Sequence, residues 1–448
     1  MQETFTRRQF LGTAAAAGLG LGFSANCSAI EPRVAVCNPL RRTPLSLIID
    51  DSCPVINKAY YWIKQRHDWR LKHEPNSQPS GWEVHYDKLD KMPNAIPAAF
   101  AAEWGEWCGA QGIRGKFSMV PFPAGVGRID KGFPGFPEHE LKDWLRVTKE
   151  IIHKNFDLTP EMLTHAHVVD LKTWKLTEQW EQGEWVDPPV DQLTEYITAA
   201  MQLLKNVGIA CDGVTSPGAF GKRQEIAYAR AVLDAALAVN NNPRPFYFLN
   251  MEMEKMPDVP IRHVDKAKGH AIASIIGCGG DWFGATGYDT SNPDLFITAD
   301  LQGGRLPAVL AKGCPAILVG HWPCFYANDR IGFKVLKEVK KRLDAYDPDK
   351  TKTIWMKNSE IGRYWMAREL SDLSANGTEC RITTKFPTDN FTLALHDRAA
   401  KRVQVNGTDL RLVQSQRDFR SGTFLATGRE TFVAFDLKLG DTALSMSL

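Results

Sequence analysis

Leu45-Ser-Leu-Ile-Ile-Asp50-Asp51-Ser-Cys-Pro54 is the stretch that decides the fold. Mostly apolar residues run straight into two adjacent carboxylates, then a small polar residue and a proline turn. Such a run reads as a strand buried on both faces, as in a parallel sheet covered by helices. Open α/β sheets and α/β barrels place their ligands at the C-terminal ends of strands. Two neighbouring Asp at such an end repel each other, and a cation or a shared proton relieves the pair. A metal-dependent hydrolase is the sharp reading, and an acid pair capping the next helix is the bland one.

Outward from this strand the chain alternates. Strands are predicted at 45–51, 115–121, 162–169, 210–216, 246–251, 271–277, 316–321 and 353–356. Amphipathic or alanine-rich helices are predicted between them at 95–111, 138–154, 192–206, 223–239 and 330–344. Repeated β-then-α order implies parallel strands with right-handed crossovers. The expected fold is therefore an α/β protein, an irregular (β/α)7-8 barrel over 43–371. Past Asp372 short alternating stretches take over, and Asn406-Gly407 is a hairpin signal, so 372–448 is expected to be a small β-sandwich-like domain.

Three long insertions follow strand ends. The first, 66–97, carries Trp69, Trp82, His85 and Tyr86; the second, 122–137, is rich in Gly and Pro; the third, 172–189, holds Trp174, Trp180 and Trp185. Aromatic rings on loops above a ligand site can stack on sugars, or can simply pack the loops down.

The N-terminus has Arg7-Arg8-Gln9-Phe10-Leu11, then an Ala/Gly/Leu-rich run and small residues to Ala29. This reads as a twin-arginine signal peptide over 1–29, with the Tat export machinery as a partner and the bacterial periplasm or the exterior as the destination. No later apolar run is long enough to span a membrane. A net charge of +2 gives no case for nucleic-acid binding. There are nine Cys and no CxxC pair, so no zinc-ribbon or thioredoxin signature is present, and no disulfide is expected to be essential.

Partners for the acid pair come from two places. In Leu163-Thr164-His165-Ala166-His167-Val168-Val169-Asp170, residues two apart on a strand face one way, so His165 and His167 can join Asp51 around a divalent metal. Asp170 is a reserve ligand or an orienting group. In Cys314-Pro-Ala-Ile-Leu-Val-Gly-His321-Trp322, an apolar run again ends in an ionisable residue, and a His there suits a general acid.

These segments, in this order, resemble the polysaccharide deacetylases. In that family an apolar strand ends in Asp-Asp, the first a base and the second a metal ligand, which maps to Asp50 and Asp51. Two metal-binding His follow a later strand, four apart in the family, whereas His165 and His167 are two apart. The family's Arg-x-Pro-x-Gly motif, whose Arg orients the base, is matched by Thr215-Ser216-Pro217-Gly218, without the Arg. Arg114, Arg128 and Arg223 are candidates to replace it in space. An aromatic Asp motif maps to Gly280-Asp281-Trp282, and the closing strand-end His maps to His321. The resemblance implies a distorted seven-stranded barrel, a divalent metal, most simply zinc, and removal of N- or O-acyl groups from a carbohydrate. It implies catalytic roles for Asp50 and His321, and substrate contacts for Trp322, Trp282, Asp281 and Pro217. Two alternatives stay open: a barrel that binds carbohydrate without turning it over, and a glycosidase pairing Asp50 with Glu360.

Overall fold

A computed structural model describes residues 34–55, 67–68, 70–78, 95–182, 185, 187–284, 291–396 and 399–447. The expected signal peptide lies outside them, as do Trp69, Trp82, His85 and Tyr86.

The first short strand is β1, Val34–Val36, and β2, Thr43–Ser52, is buried along its whole length. In parallel beside β2 lie β3, Gly115–Met119, and beyond it β4, Phe156–Pro160. Gly115 is what lets β3 come so close: a Cβ there would sit 1.8 Å from the Leu47 carbonyl oxygen. Two further strands form a separate antiparallel hairpin, β5, His167–Asp170, with β6, Lys175–Trp180. A second ladder contains β7, Gly213–Thr215, β8, Phe246–Met251, β9, Ile261–Asp265, and β10, His270–Gly277, in the order β7-β8-β10-β9. Back at β2, its other edge takes β11, Ala316–His321, and its start takes β12, Thr353–Trp355.

Among the described residues the two ladders meet through single parallel bridges, Glu161 with Thr215 and Asp281 with Val319, and through backbone hydrogen bonds such as Cys278 N–H to the Ile317 carbonyl at 2.8 Å. The architecture is thus a mixed α/β fold of several sheets, and among the described residues no continuous ladder closes the expected (β/α)7-8 barrel. Both bridges run through residues with reactive side chains, so the seams between the ladders border the site described below.

The third parallel strand was expected at 162–169, and the structure corrects this: the sheet takes up Phe156–Pro160 instead. Phe156 and Leu158 are in register with Gly115 and Phe117 and are fully buried. After Pro160 the chain leaves the ladder through Met162, whose φ of +45° no strand accommodates. The apolar residues Met162, Leu163, Val168 and Val169 are buried all the same, as loop and hairpin packed on the core. Their pattern therefore signalled burial and not a sheet position.

Helices Ala98–Ala110 and Trp322–Tyr346 cover one side of β2. Their aromatic rings interlock there, with Trp104 and Trp322 edge-to-face at 5.3 Å and Phe117 against Trp322 at 5.1 Å. The β-rich part comprises two five-stranded sheets, one of which includes β1 paired with 388–395. Both sheets contribute to one buried cluster, Cys380 and Leu444 from one and Phe391 and Val433 from the other. The helix Asn358–Leu370 ties this part to the ladders, with Tyr364 packed on Phe391 and its hydroxyl donating to the Cys37 carbonyl. The eight cysteines among the described residues are free thiols. Among the described residues, no helix is long and apolar enough to cross a membrane.

Candidate active site

At the C-terminal end of β2 the pairing with β3 slips between Ile49 and Ser52. A bulge of this kind re-aims the side chains that flank it. Asp51 takes a φ of +63°, a strained conformation for any residue with a Cβ. The two acids therefore part company, and each meets its own set of partners, although both are nearly closed to solvent.

Asp51 faces Glu161 and His165. Its Oδ1 lies 3.0 Å from His165 Nε2, and Glu161 Oε1 lies 3.5 Å from the same nitrogen. The backbone N–H of Asp51 donates to Glu161 Oε2 at 2.7 Å, and the Ser118 hydroxyl donates to that oxygen at 2.6 Å. One ligand-type atom from each of Asp51, Glu161 and His165 falls within 4.8 Å of the others. Asp51 Oδ1 is closed to solvent, with the His165 imidazole at 3.0 Å as its neighbour. Two buried carboxylates gathered on one imidazole nitrogen are a donor set that fits a divalent cation. Burial alone would lower the His165 pKa, but the charges of Asp51 and Glu161 outweigh it and hold the imidazole well above its usual value. The same negative field favours a cation in place of the proton.

His165 is presented by a turn, not by a strand, at a φ of +56°. Glu181 holds that turn: its carboxylate accepts from the backbone N–H groups of Thr164 at 2.9 Å and His165 at 2.7 Å, and from the Tyr196 hydroxyl. Burial pushes Glu181 up to about 7 against these hydrogen bonds. His165 Nδ1 lies 3.0 Å from the Gln182 amide. An imidazole that lends Nε2 to a cation keeps its proton on Nδ1, and a half-turn of that amide supplies the oxygen to accept it.

Asp50 has a cationic partner that its sequence neighbours do not announce. Lys116, wholly buried on β3, forms an ion pair with Asp50 Oδ1 and donates to Thr215 Oγ1 at 2.7 Å. Lys116 thus ties Asp50 on β2 to Thr215 on β7. The three arginines named as candidates for holding this acid are occupied elsewhere or distant. Arg114 pairs with Glu360 at 2.6 Å, Arg128 with Asp130 at 2.7 Å, and Arg223 lines a separate cavity beside Trp185. Burial raises the Asp50 pKa; Lys116 opposes this and Glu161 adds to it, with a net upward shift. Burial would also raise Asp51, but the positive charges of His165 and His321 bring it below the usual carboxylate value.

On the other side of Asp50, His321 is its cross-strand neighbour on β11. Its Nδ1–H donates to Asp281 Oδ2 at 2.7 Å, which leaves Nε2 as the second ring nitrogen. Burial would lower its pKa, but Asp51 and Asp281 raise it to about 10. Asp281, expected among the substrate contacts, thus orients His321, and its other oxygen accepts from the Phe283 backbone at 3.2 Å.

Other expected site residues lie apart from this cluster. His167 is not brought to Asp51: its ring stacks on Trp180 at 4.0 Å in the hairpin. Trp322 is fully buried among Phe100, Trp104 and Phe117, where no ligand reaches it, so the expected substrate contact is corrected to a core position. Trp282 is half-buried against Phe296. Pro217 is buried two residues after Thr215. Asp170 caps the turn after β5 by accepting from the backbone of Lys172. Of the loop tryptophans, Trp180 is buried, Trp174 packs on Phe122 under Arg128, and Trp185 packs on Tyr196 and Phe220. Glu360 and Arg114 pair beside the start of β2, so Glu360 is not the partner of Asp50 that a glycosidase reading needs. Glu161 was missed, although a signal was present: it precedes His165 by four residues, the spacing of the family's own ligand pair.

No protein-family profile and no curated protein matches the chain. Among solved structures it is similar to a protein from Mycobacterium smegmatis provisionally named a polysaccharide deacetylase, at 13% identity over 75% of this chain and 94% of that one, with a TM-score of 0.41. It is also similar to an alpha-L-fucosidase, at 8% identity over 92% of this chain and 97% of that one, with a TM-score of 0.33. Likenesses this distant carry neither fold detail nor activity across.

Proposed function

We propose that the chain is an exported, metal-dependent hydrolase that removes N- or O-acyl groups from a carbohydrate. The observation that carries the reaction is the convergence of Asp51, Glu161 and His165 beside Asp50 and His321. The carbohydrate and acyl assignments rest on the ordered motif resemblance, and export rests on the twin-arginine stretch. The same reading takes the seven strands β2, β3, β4, β7, β8, β10 and β11 of the two ladders as one irregular barrel with its seams at the two bridges.

Asp51, Glu161 and His165 would hold the ion. When bound, a divalent ion there supplies Lewis acidity toward the acyl carbonyl and lowers the pKa of water. Asp50, whose ionised form Lys116 favours against burial, takes the proton of the attacking water. His321, kept protonated by Asp281 and the nearby carboxylates, gives a proton to the departing amine or alcohol. Two carboxylates and one imidazole form a harder donor set than two imidazoles and one carboxylate, so manganese or iron suits the site as well as zinc.

Metal analysis of the purified protein, combined with acetate release from acetylated oligosaccharides, tests this reading. Wild type should carry close to one ion and release acetate; Asp51→Ala and His165→Ala should lose both. Equal metal content in all three proteins would overturn the site.

A further inference from the structure

A second site lies at the opposite end of β2. A cavity of about 470 Å³ opens beside Ile354 and Trp355, which pair with Pro44 and Leu45 at the start of that strand. Leu45 and Asp50 are five residue steps apart on the strand, so the cavity is roughly 17 Å from the acid pair. Residues 387–390 and 437–438 of the β-rich part close its other side.

Four cationic side chains line it, Arg114, Arg244, Arg363 and Lys438, against two carboxylates, Glu360 and Asp389. The cations are not equally engaged. Arg114 is paired with Glu360, and Arg363 donates to Asp212 at 3.0 Å. Arg244 donates only to the carbonyls of Gly269 and Lys385, both at 3.3 Å. Those carbonyls fix its guanidinium in place and leave its charge unbalanced. Among the described residues neither Arg244 nor Lys438 has a carboxylate within ion-pair distance. Arg363 is near enough that, after burial, its charge is the second influence lowering the Arg244 pKa. Arg244, beside two guanidinium groups that are each paired with a carboxylate, leaves room for an anion.

The other lining groups narrow the choice of ligand. Trp355 is half-buried at the cavity and presents an apolar ring of the kind that packs on the C–H face of a sugar. Asp389 offers an acceptor for a ligand hydroxyl, and with Glu360, whose oxygens are held by Arg114 and the Lys357 backbone, it disfavours a ligand of high charge density such as a polyphosphate. The volume suits one or two sugar rings. We infer that this pocket is a saccharide-binding site for an acidic sugar, one bearing a carboxylate or sulfate group, separate from the acid-pair centre. The inference does not depend on the proposed hydrolase activity.

Calorimetric titration of the full chain with digalacturonate, a neutral disaccharide and sodium sulfate tests it. Digalacturonate should bind at least about tenfold more tightly than either of the other two, since a charge-assisted fork and a ring contact act together. Arg244→Gln and Lys438→Gln should each weaken it several-fold with unchanged melting temperature, and His321→Gln, an acid-pair-centre variant that strands no buried lysine, should bind it as wild type does. No binding of digalacturonate, or undiminished binding in both charge variants, would overturn the assignment. Equal affinity for sulfate alone would reduce the pocket to a simple anion hole, and equal affinity for the neutral disaccharide would remove the role of the cations. Loss of binding in a His321→Gln protein of unchanged melting temperature would place the sugar at the acid pair and overturn the second site, leaving the hydrolase reading intact.

Discussion

Lys116 is ion-paired with Asp50 across the β2–β3 ladder, and both side chains lie in the buried interior. Removing one partner of such a pair strands the other's charge, at a cost of about 3–5 kcal/mol. Lys116→Met should therefore destabilise the protein strongly in denaturant titrations, and Lys116→Met with Asp50→Asn should recover much of the loss. Catalysis reports the same link. Burial already lifts the Asp50 pKa and Lys116 holds it down. Without the lysine, Asp50 keeps its proton to higher pH, and the acid limb of kcat/KM moves up. An acid limb that stays put in a folded Lys116→Met protein would count against Asp50 as the base.

Glu161 offers a sharper test of the metal centre than the histidines do. Glu161→Ala should lose the ion as Asp51→Ala does, because all three donors converge on one point. His167→Ala should keep it, since that ring stacks on Trp180 in the hairpin. Glu161→His makes the donor set softer and should move metal preference toward zinc. Competition between zinc and manganese, read by mass spectrometry of the loaded protein, checks all three outcomes.

The strand ends 45–51 and 316–321 were legible because, in an α/β chain, an apolar run that stops at an acid or an imidazole marks a buried strand with its ionisable end at the ligand face. The third strand was not legible. In Phe156-Asp-Leu-Thr-Pro160 the buried polar residues Asp157 and Thr159 break the apolar run, and both are satisfied by partners far away in sequence, Ser359 and Thr215. The neighbouring run 162–169 looked more strand-like, and choosing it carried His167 into the ligand set. Lys116 was invisible for a similar reason. A lysine within Gly115-Lys-Phe-Ser-Met119 reads as surface until the fold places Asp50 and Thr215 against it. Tertiary partners rescue buried polar groups, and single-sequence patterns do not show those partners.

Asp157 gives the chain a stability that depends on pH. Burial and the charge of Asp212 push its carboxyl up to about 7, although Ser359 donates to it from both backbone and hydroxyl. The folded pKa exceeds the unfolded value near 3.8, so the folded state binds this proton more tightly. The contribution is full below about pH 4 and is lost as pH rises through 7. It amounts to a few kcal/mol, on the order of 1.4 per pKa unit. Asp157→Asn keeps a neutral group with one acceptor for Ser359 and removes the linkage. Thermal melts from about pH 5 to about pH 8 should show a smaller decline in the variant than in wild type, and parallel declines would reject the assignment.

His321 and Asp281 make the final prediction, and it separates an acid from a ligand. The Nδ1–H of His321 is held by Asp281 at 2.7 Å, and Asp51 and Asp281 raise its pKa to about 10 against the effect of burial. An acid must stay protonated until it is used, so the basic limb of kcat/KM should follow this group. Asp281→Asn removes one of the three carboxylate charges that sustain the imidazolium, those of Asp51, Asp281 and Asp50, so the basic limb should fall by about one pH unit or more, a loss of roughly 1.4 kcal/mol per unit. KM should change little, because Asp281 acts through the imidazole. His321→Gln should cost about 10²–10⁴ in kcat, the usual range for a general acid. Metal content should be unaffected in both variants, since His321 stands outside the group formed by Asp51, Glu161 and His165. Loss of the ion in His321→Gln would instead make His321 a ligand, and the proton for the leaving group would then have to come from another residue.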